Sequence, residues 1–311
     1  MHIIKRRGWE IPESRVTPEH LAMNRRHLLA GAAGLGAIGA GILPGPAAAQ
    51  SGTGPNPKYP AGREITEEKY STTYNNYYEF GESKNIWRAA QALKQRPWAV
   101  KLDGMLKQPR TVDIDDLLKQ VQTEERVYRH RCVEAWAMTV PWTGFPISQL
   151  IALAEPSSSA KYIVFETAQD KSMRGLGAPF YPWPYTDGLT MDEAMNELAF
   201  LATGLYGKAL PPQNGGPLRL VAPWKYGFKG TKSIVRISFT DKRPKTFWES
   251  IQPREYGFWA NVNPDVPHPR WSQARERLLG SDEMVPTMIY NGYGEFVSQL
   301  YTDRQSEKLF M

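Results

Sequence analysis

Twenty-five prolines punctuate this 311-residue chain. Proline fixes φ and carries no N–H, so it breaks helix interiors and is excluded from most central strands. Stretches such as "ALPPQNGGPLRL" and "APFYPWPYTDG" leave no room for a long uninterrupted helix. The chain is therefore expected to fold from short strands, turns and loops, not as a bundle of long helices. Its hydrophobic share of 41% is ample for one large core or two small ones.

The local patterns agree with that expectation. "WAVKLDGML" (98–106) reads as a strand and turn, and "TVDIDDLLKQ" as a short helix capped by Asp113. "ERVYRHRC" reads as a strand running into Cys132, "PISQLIALA" as a helix, and "SAKYIVFET" (159–167) as a buried strand. "TMDEAMNEL" reads as a helix, "PLRLVAPW" and "KSIVRISFT" as strands, and "AFLATGLYG" fits either state. There is no internal repeat and no linker. Short helices between strands, without regular βαβ spacing, predict a mixed α+β domain rather than a doubly wound sheet.

The N-terminus carries an export pattern. "MNRRHLLAGAAGLGAIGAGILPGPAAAQ" (23–50) joins the pair Arg25–Arg26 to a Gly/Ala-rich apolar run, then to Ala47–Ala48–Ala49, a small-residue cleavage signature. From Leu28 to Leu43 is too short for a membrane span. Paired arginines point to twin-arginine export, a route for proteins that fold before crossing. The expected division is a signal peptide over 1–49, a polar lead-in or surface strap over 50–70, and a mature domain over 71–311, located in the periplasm. Six basic residues against three acidic ones up to Ala49 supply half of the formal net charge of +6, leaving about +3. That field is too weak for a nucleic-acid binder.

An exported protein with one cysteine raises the question of what Cys132 does. It lies in "VYRHRCVEAWAMTVPW", where strand alternation would put His130, Cys132 and Glu134 on one face. Four readings stand open: a buried small hydrophobe, a thiolate nucleophile activated by His130, a redox thiol lacking a resolving partner, and a single soft ligand to a metal held otherwise by its own organic cofactor. Export after folding favours the last. Zinc is disfavoured, since no second cysteine or ligand-spaced histidine pair exists, and there is no C-x-x-C-H run for haem.

A cofactor of that kind would need cations and free backbone N–H groups. "PPQNGGPLRLVAPWKYGFKGTKS" (211–233) concentrates Asn214, Arg219, Lys225, Lys229 and Lys232 among glycines and prolines. It is either such an anion site or a hairpin with solvated basic residues. "YNNYYEFG" (74–81) is either a structural turn or the polar wall of a pocket.

Taken with "YRHRCVEAWAMTVPWTGFPISQLIALAEP", "GKALPPQNGGPLRLVAPWKYGFKGTKSIV" and "ANVNPDVPHPRWSQA", these stretches resemble the catalytic subunits of periplasmic protein-methionine-sulfoxide reductases. Those are molybdopterin enzymes of the sulfite oxidase fold, and the resemblance spans roughly residues 70–301. It implies a strand-rich single α+β domain of the molybdopterin-binding type, loaded with Mo-molybdopterin. It implies Cys132 as the molybdenum ligand, with Glu134 beside the metal. Asn75, Tyr78, Glu79, Thr167, Asn214 and Arg219 match its cofactor contacts, and Gly230, Thr231 and Lys232 match those near the pterin phosphate. The implied reaction reduces methionine sulfoxide in oxidised periplasmic proteins, and free sulfoxides, by oxygen-atom transfer. Electrons would come from a membrane haem-b subunit of the MsrQ type fed by quinones. Such substrates call for an open cleft with aromatic walls, for which Trp136, Trp142, Trp183 and Trp224 are candidates. The segment after Thr167, "AQDKSMRGLGAPFYPWPYTDG", departs from better-known members near the expected mouth and leaves substrate preference open. A sulfite dehydrogenase or another S- or N-oxide reductase of this fold is the neighbouring alternative. An exported binding module without chemistry is the alternative of another class.

Overall fold

The computed structural model describes residues 54–311; the expected leader and its cleavage point near Ala49 lie outside the described residues. Among the described residues twelve strands, numbered in chain order, are β1 (Ala99–Gly104), β2 (Arg110–Asp113), β3 (Glu124–Arg131), β4 (Trp136–Pro146), β5 (Tyr162–Thr167), β6 (Thr186–Thr190), β7 (Phe200–Leu205), β8 (Lys208–Ala209), β9 (Arg219–Val221), β10 (Ile234–Thr240), β11 (Arg275–Leu278) and β12 (Met284–Pro286). The longest helix among the described residues, Ile147–Ala154, has eight residues. The proline argument thus describes the fold well.

Five strands form one sheet in the order β2-β1-β10-β5-β6, in which only β1 and β10 run parallel. The other sheet is built around β4. β3 pairs along one edge of it, and the opposite edge is shared by β11 near Trp136 and by β7 from Trp142 onward. With neighbours on both edges, β4 is buried over most of its length. Its Pro141 is tolerated for a local reason. The Pro141 carbonyl accepts the Tyr206 N–H at 3.0 Å, so its missing donor faces the stretch between β11 and β7 where no ladder partner asks for one. Mixed sheets and short helices give the expected α+β class.

The segment "KYIVFET" alternates buried and half-buried positions, so β5 hides one face rather than both. "AFLATGLYG" resolves as strand β7, paired on both sides. Capping chemistry sets the short helices. Asp113 accepts the Asp115 N–H at 2.8 Å, and Thr190 forms a reciprocal box with Glu193 at the helix Met191–Met195.

The chain from Asn56 to Tyr70 lies against β3 and β4 as a strap. The Asn56 N–H donates to the Glu125 carbonyl at 2.8 Å, and Thr66 exchanges hydrogen bonds with Thr139 of β4. Arg63 pairs with the buried Glu276 of β11.

Candidate active site

The hairpin between β3 and β4 sets Cys132. The turn closes tightly, with the Cys132 N–H donating to the Trp136 carbonyl at 2.9 Å and the Ala135 N–H to the Cys132 carbonyl at 3.1 Å. From beneath, the fully buried Arg131 donates to the Cys132 carbonyl, to Glu276 at 2.8 Å and to the Gln273 side chain at 2.8 Å. The sulfur is thereby fixed at the wall of a cavity.

Around the sulfur stand Glu134 and Asn76. The Glu134 N–H lies 3.5 Å from Sγ, its Oε2 3.7 Å, and the Asn76 Nδ2 3.6 Å. Glu134 reaches the sulfur through the turn, not through the strand alternation expected from sequence, because β3 ends at Arg131. Its carboxylate also accepts from Asn76 Nδ2 and Trp136 Nε1, each at 3.1 Å, and pairs with Lys84 at 2.6 Å. Burial raises its pKa, but Lys84, Asn76 and Trp136 outweigh burial and hold it below the usual carboxylate range. Lys84 also donates to Asn76 Oδ1 at 2.6 Å, which turns the Asn76 N–H groups toward Glu134 and the sulfur. Burial first, then Glu134, pushes the Cys132 thiol up to about 12.

No imidazole stands within hydrogen-bonding distance of that sulfur among the described residues. His130 lines the same cavity, but burial and the charges of Arg219 and Lys232 push its pKa down to about 3. A His-activated nucleophile therefore finds no support in this geometry. Gly227 makes room for the imidazole, since a Cβ there would run into the ring.

The cavity also gathers the residues singled out in distant stretches. Asn75, Tyr78 and Glu79 line it from "YNNYYEFG", Thr167 from the end of β5, and Asn214, Arg219 and Lys232 from the basic stretch. Asn75 and Asn214 are set alike: each amide Nδ2 donates to the Ser71 carbonyl, at 3.0 and 2.9 Å. That leaves both Oδ1 atoms buried without a partner. Gly230 and Thr231 stand behind the wall. A Cβ on Gly230 would strike the Arg219 guanidinium, and Thr231 is fully buried with its Oγ1 unpartnered.

No carboxylate lies within 4.0 Å of either cation among the described residues, although the buried Glu79 acts on Lys232 from farther away. Arg219 is buried, donates only to the Asn214 carbonyl (2.9 Å) and the Leu220 carbonyl (3.3 Å), and stacks over Trp142 at 5.0 Å. Burial lowers its pKa to about 10. Lys232 forms no ion pair within 4.0 Å, and burial and Arg219 hold it below the usual lysine value. Burial also drives the Glu79 carboxyl up, against the pull of Lys232. A buried cation without a counter-charge is costly unless an anion completes the site. Two cations, two orphaned amide oxygens and one thiol fit an anionic, hydrogen-bonding cofactor that offers a metal to sulfur.

The reading of the basic stretch needs correction in one respect. Lys225 is committed to Glu193 (2.5 Å), the Trp259 carbonyl and Asn261, and Lys229 to Asp187 and the Phe258 carbonyl. Both are buried structural cations rather than cavity-facing or solvated ones. The tryptophans also divide. Trp136 lines the cavity, whereas Trp142 and Trp224 are core and Trp183 packs on Tyr181 and Phe247. Trp248 and Tyr256 take the expected wall positions. Nothing in their sequence neighbourhoods marked them. Asn76 and Lys84 were also missed as contacts; Asn76 lay inside the quoted "YNNYYEFG" stretch and could have been named.

The cavity holds about 70 Å³ of solvent-reachable space and opens into a cleft of about 740 Å³. Tyr74, Tyr78, Glu134, Trp136, Trp248 and Tyr256 line both. A deep cavity lined by Arg219, Lys232 and the Cys132 sulfur therefore meets a wide aromatic mouth.

Comparison with known proteins agrees with this arrangement. Residues 88–248, just over half of the chain, match the family model described as oxidoreductase molybdopterin binding domain. A protein-methionine-sulfoxide reductase catalytic subunit, MsrP, from Ralstonia nicotianae is 49% identical, covering 98% of this chain and 97% of that protein. The MsrP of Burkholderia mallei is 47% identical (97% and 96% covered), and that of Pseudomonas syringae pv. tomato 49% identical (95% and 96% covered).

Proposed function

The chain belongs to the family of protein-methionine-sulfoxide reductase catalytic subunits, molybdopterin-binding oxidoreductases, and from that premise we propose how its own residues serve the reaction. The chain reduces methionine sulfoxide with a molybdenum cofactor held in the cavity beside Cys132. The carrying observation is that Arg219 and Lys232, both without an ion-pair partner among the described residues, share this cavity with the chain's one thiol.

Cys132 would hold the metal through its sulfur, and Arg219 with Lys232 would hold the cofactor's phosphate. The free oxygens of Asn75 and Asn214 would accept its N–H groups, with Thr167, Tyr78 and Glu79 along the same wall. Gly230 and Thr231 contribute from behind: the first gives the Arg219 guanidinium its space, the second bonds the backbone of the stretch. When bound, the group supplies two-electron oxygen-atom transfer, turning a sulfoxide, two protons and two electrons into a thioether and water. Glu134, Asn76 and Lys84 fix the polar side of the sulfur, and Asn76 donates toward it, as groups around a metal ligand do when they tune it. Tyr78, Trp136 and Trp248 form an apolar approach that receives the alkyl groups flanking the sulfoxide and limits water.

The electron donor in this reading is a membrane haem-b subunit, as the family resemblance implies. The exported location rests on the Arg25–Arg26 leader pattern. Oxidised envelope proteins are then the substrates, with free sulfoxides also accepted.

Elemental analysis of natively exported protein tests the reading. About one molybdenum per chain is expected, with sulfoxide-dependent turnover from a reduced electron donor. Cys132→Ser should lose both, because a hydroxyl is a poor soft-metal ligand. Stoichiometric metal in that variant would remove the ligand assignment, and turnover of sulfite in place of sulfoxide would reverse the direction of the chemistry.

A further inference from the structure

We propose that Phe180 is the rim anchor for an apolar residue flanking the methionine sulfoxide of a polypeptide substrate. The inference rests on the reductase reading and names a specificity determinant within it.

Space makes the first argument. The inner cavity, with about 70 Å³ of solvent-reachable space against about 740 Å³ in the outer cleft, is the narrow one and has no room for a chain segment beside the cofactor. The polypeptide that carries a sulfoxide must therefore lie in the outer cleft of about 740 Å³. That cleft is continuous with the cavity through residues lining both, so whatever occupies it sits beside the reacting side chain.

The second argument is an unexplained exposure. Phe180 is 66% exposed, more than any other large apolar side chain among the described residues, and it lines the outer cleft. A lone exposed aromatic is ordinary; this one ends an aromatic series. Its ring packs on Tyr181 at 4.4 Å between centroids, and Tyr181 in turn on Tyr78 at 5.8 Å. Tyr78 packs on Trp248 at 4.9 Å, and both line the inner cavity. Tyr181 is tied down by its hydroxyl, which donates to Glu82 at 2.9 Å. The series is thus fixed at its inner members and leaves a free ring at the solvent end.

The position fits the recognition problem. A sulfoxide is polar, small and present in many sequences, so selectivity must come from what flanks it. Methionine in folded proteins is mostly interior and has apolar neighbours. When such a segment opens, those neighbours are exposed together with the sulfoxide. An aromatic ring at the cleft rim recovers part of their burial and favours opened segments over isolated polar sulfoxides. Arg270 and Arg277, with Glu255, border the same cleft and supply both signs of charge, so the rim imposes no strong charge preference.

Two synthetic peptides test the proposal. They are identical except that the methionine sulfoxide is flanked by leucine in one and by serine in the other. The molybdenum-loaded enzyme is expected to favour the leucine peptide by about tenfold in kcat/KM, mainly through KM, the size of a modest anchor contact. In Phe180→Ser that ratio should collapse toward one. Phe180→Leu should retain most of it, since an apolar side chain remains. A ratio near one in the wild type, or a tenfold ratio that survives Phe180→Ser, overturns the assignment. Absence of turnover on both peptides and on dimethyl sulfoxide would instead overturn the reductase reading on which it rests.

Discussion

Arg219 is held under conditions that an arginine rarely meets without an anion. Its guanidinium lies between Trp142 and two backbone carbonyls, with no carboxylate within ion-pairing distance among the described residues. Desolvating the charge costs several kcal/mol, and two carbonyl hydrogen bonds return about 1 kcal/mol each. The site is therefore destabilising when empty and satisfied when an anion enters. Arg219→Met should leave the cofactor-free protein as stable as wild type or more stable by about 1–2 kcal/mol, while molybdenum content falls at least severalfold. Calorimetric melts of cofactor-free protein, paired with elemental analysis of exported protein, measure both. A variant that melts clearly lower would show that Arg219 acts chiefly as a structural tie. At this scale much was legible. Cys132 stood out because no second thiol could pair with it, and Asn75, Asn214 and Arg219 because family motifs carry them. Lys225 and Lys229 were misjudged because a charge run does not reveal which cations face inward to buried carboxylates such as Glu193 and Asp187.

At the scale of elements, the β3–β4 hairpin and β11 form one mechanical unit. Arg131 leaves the end of β3, and Glu276 of β11 receives it at 2.8 Å with neither side chain exposed. Thr287 adds a hydrogen bond at 3.0 Å. Removing one member of a buried pair strands the other's charge. Glu276→Gln is expected to cost about 3–5 kcal/mol in unfolding free energy, read from denaturant melts, and to loosen the Cys132 turn so that less molybdenum is retained. Stability within about 1 kcal/mol of wild type would show that the amide satisfies Arg131 unaided. This pair was not legible before folding, because the two residues are 145 positions apart in the chain. Elements whose causes are local were readable: the Asp113 cap, the helix in "TMDEAMNEL", and β1 with the turn that follows it. The fate of "AFLATGLYG" was not, because β-propensity and helix propensity nearly balance there and pairing with β4 and β9 decides it.

For the whole molecule, the strap joins the beginning of the described chain to its chemical centre. Arg63 supplies the second cation on Glu276, which holds Arg131, which holds the carbonyl of Cys132. Thr66 meanwhile takes the free edge of β4 at Thr139. Removing residues up to Thr66 should lower unfolding free energy by about 3 kcal/mol or more, from one buried charge left short of a partner and the lost hydrogen bonds of Asn56 to Glu125 and of Thr66 to Thr139. Metal retention should fall with it. Thermal melts and elemental analysis of the truncated protein check this, and unchanged values would reduce the strap to a covering. The composition of "QSGTGPNPKYPAGREITEEKY" suggested either a mobile lead-in or a strap, and the distinction lies in contacts with Glu125, Thr139 and Glu276 that are remote in sequence. The practical consequence concerns how the protein is handled. A protease nick, an affinity handle or a cross-link placed between Asn56 and Thr66 is no edit to a spare end: it reaches the turn that carries Cys132 from behind, three links away.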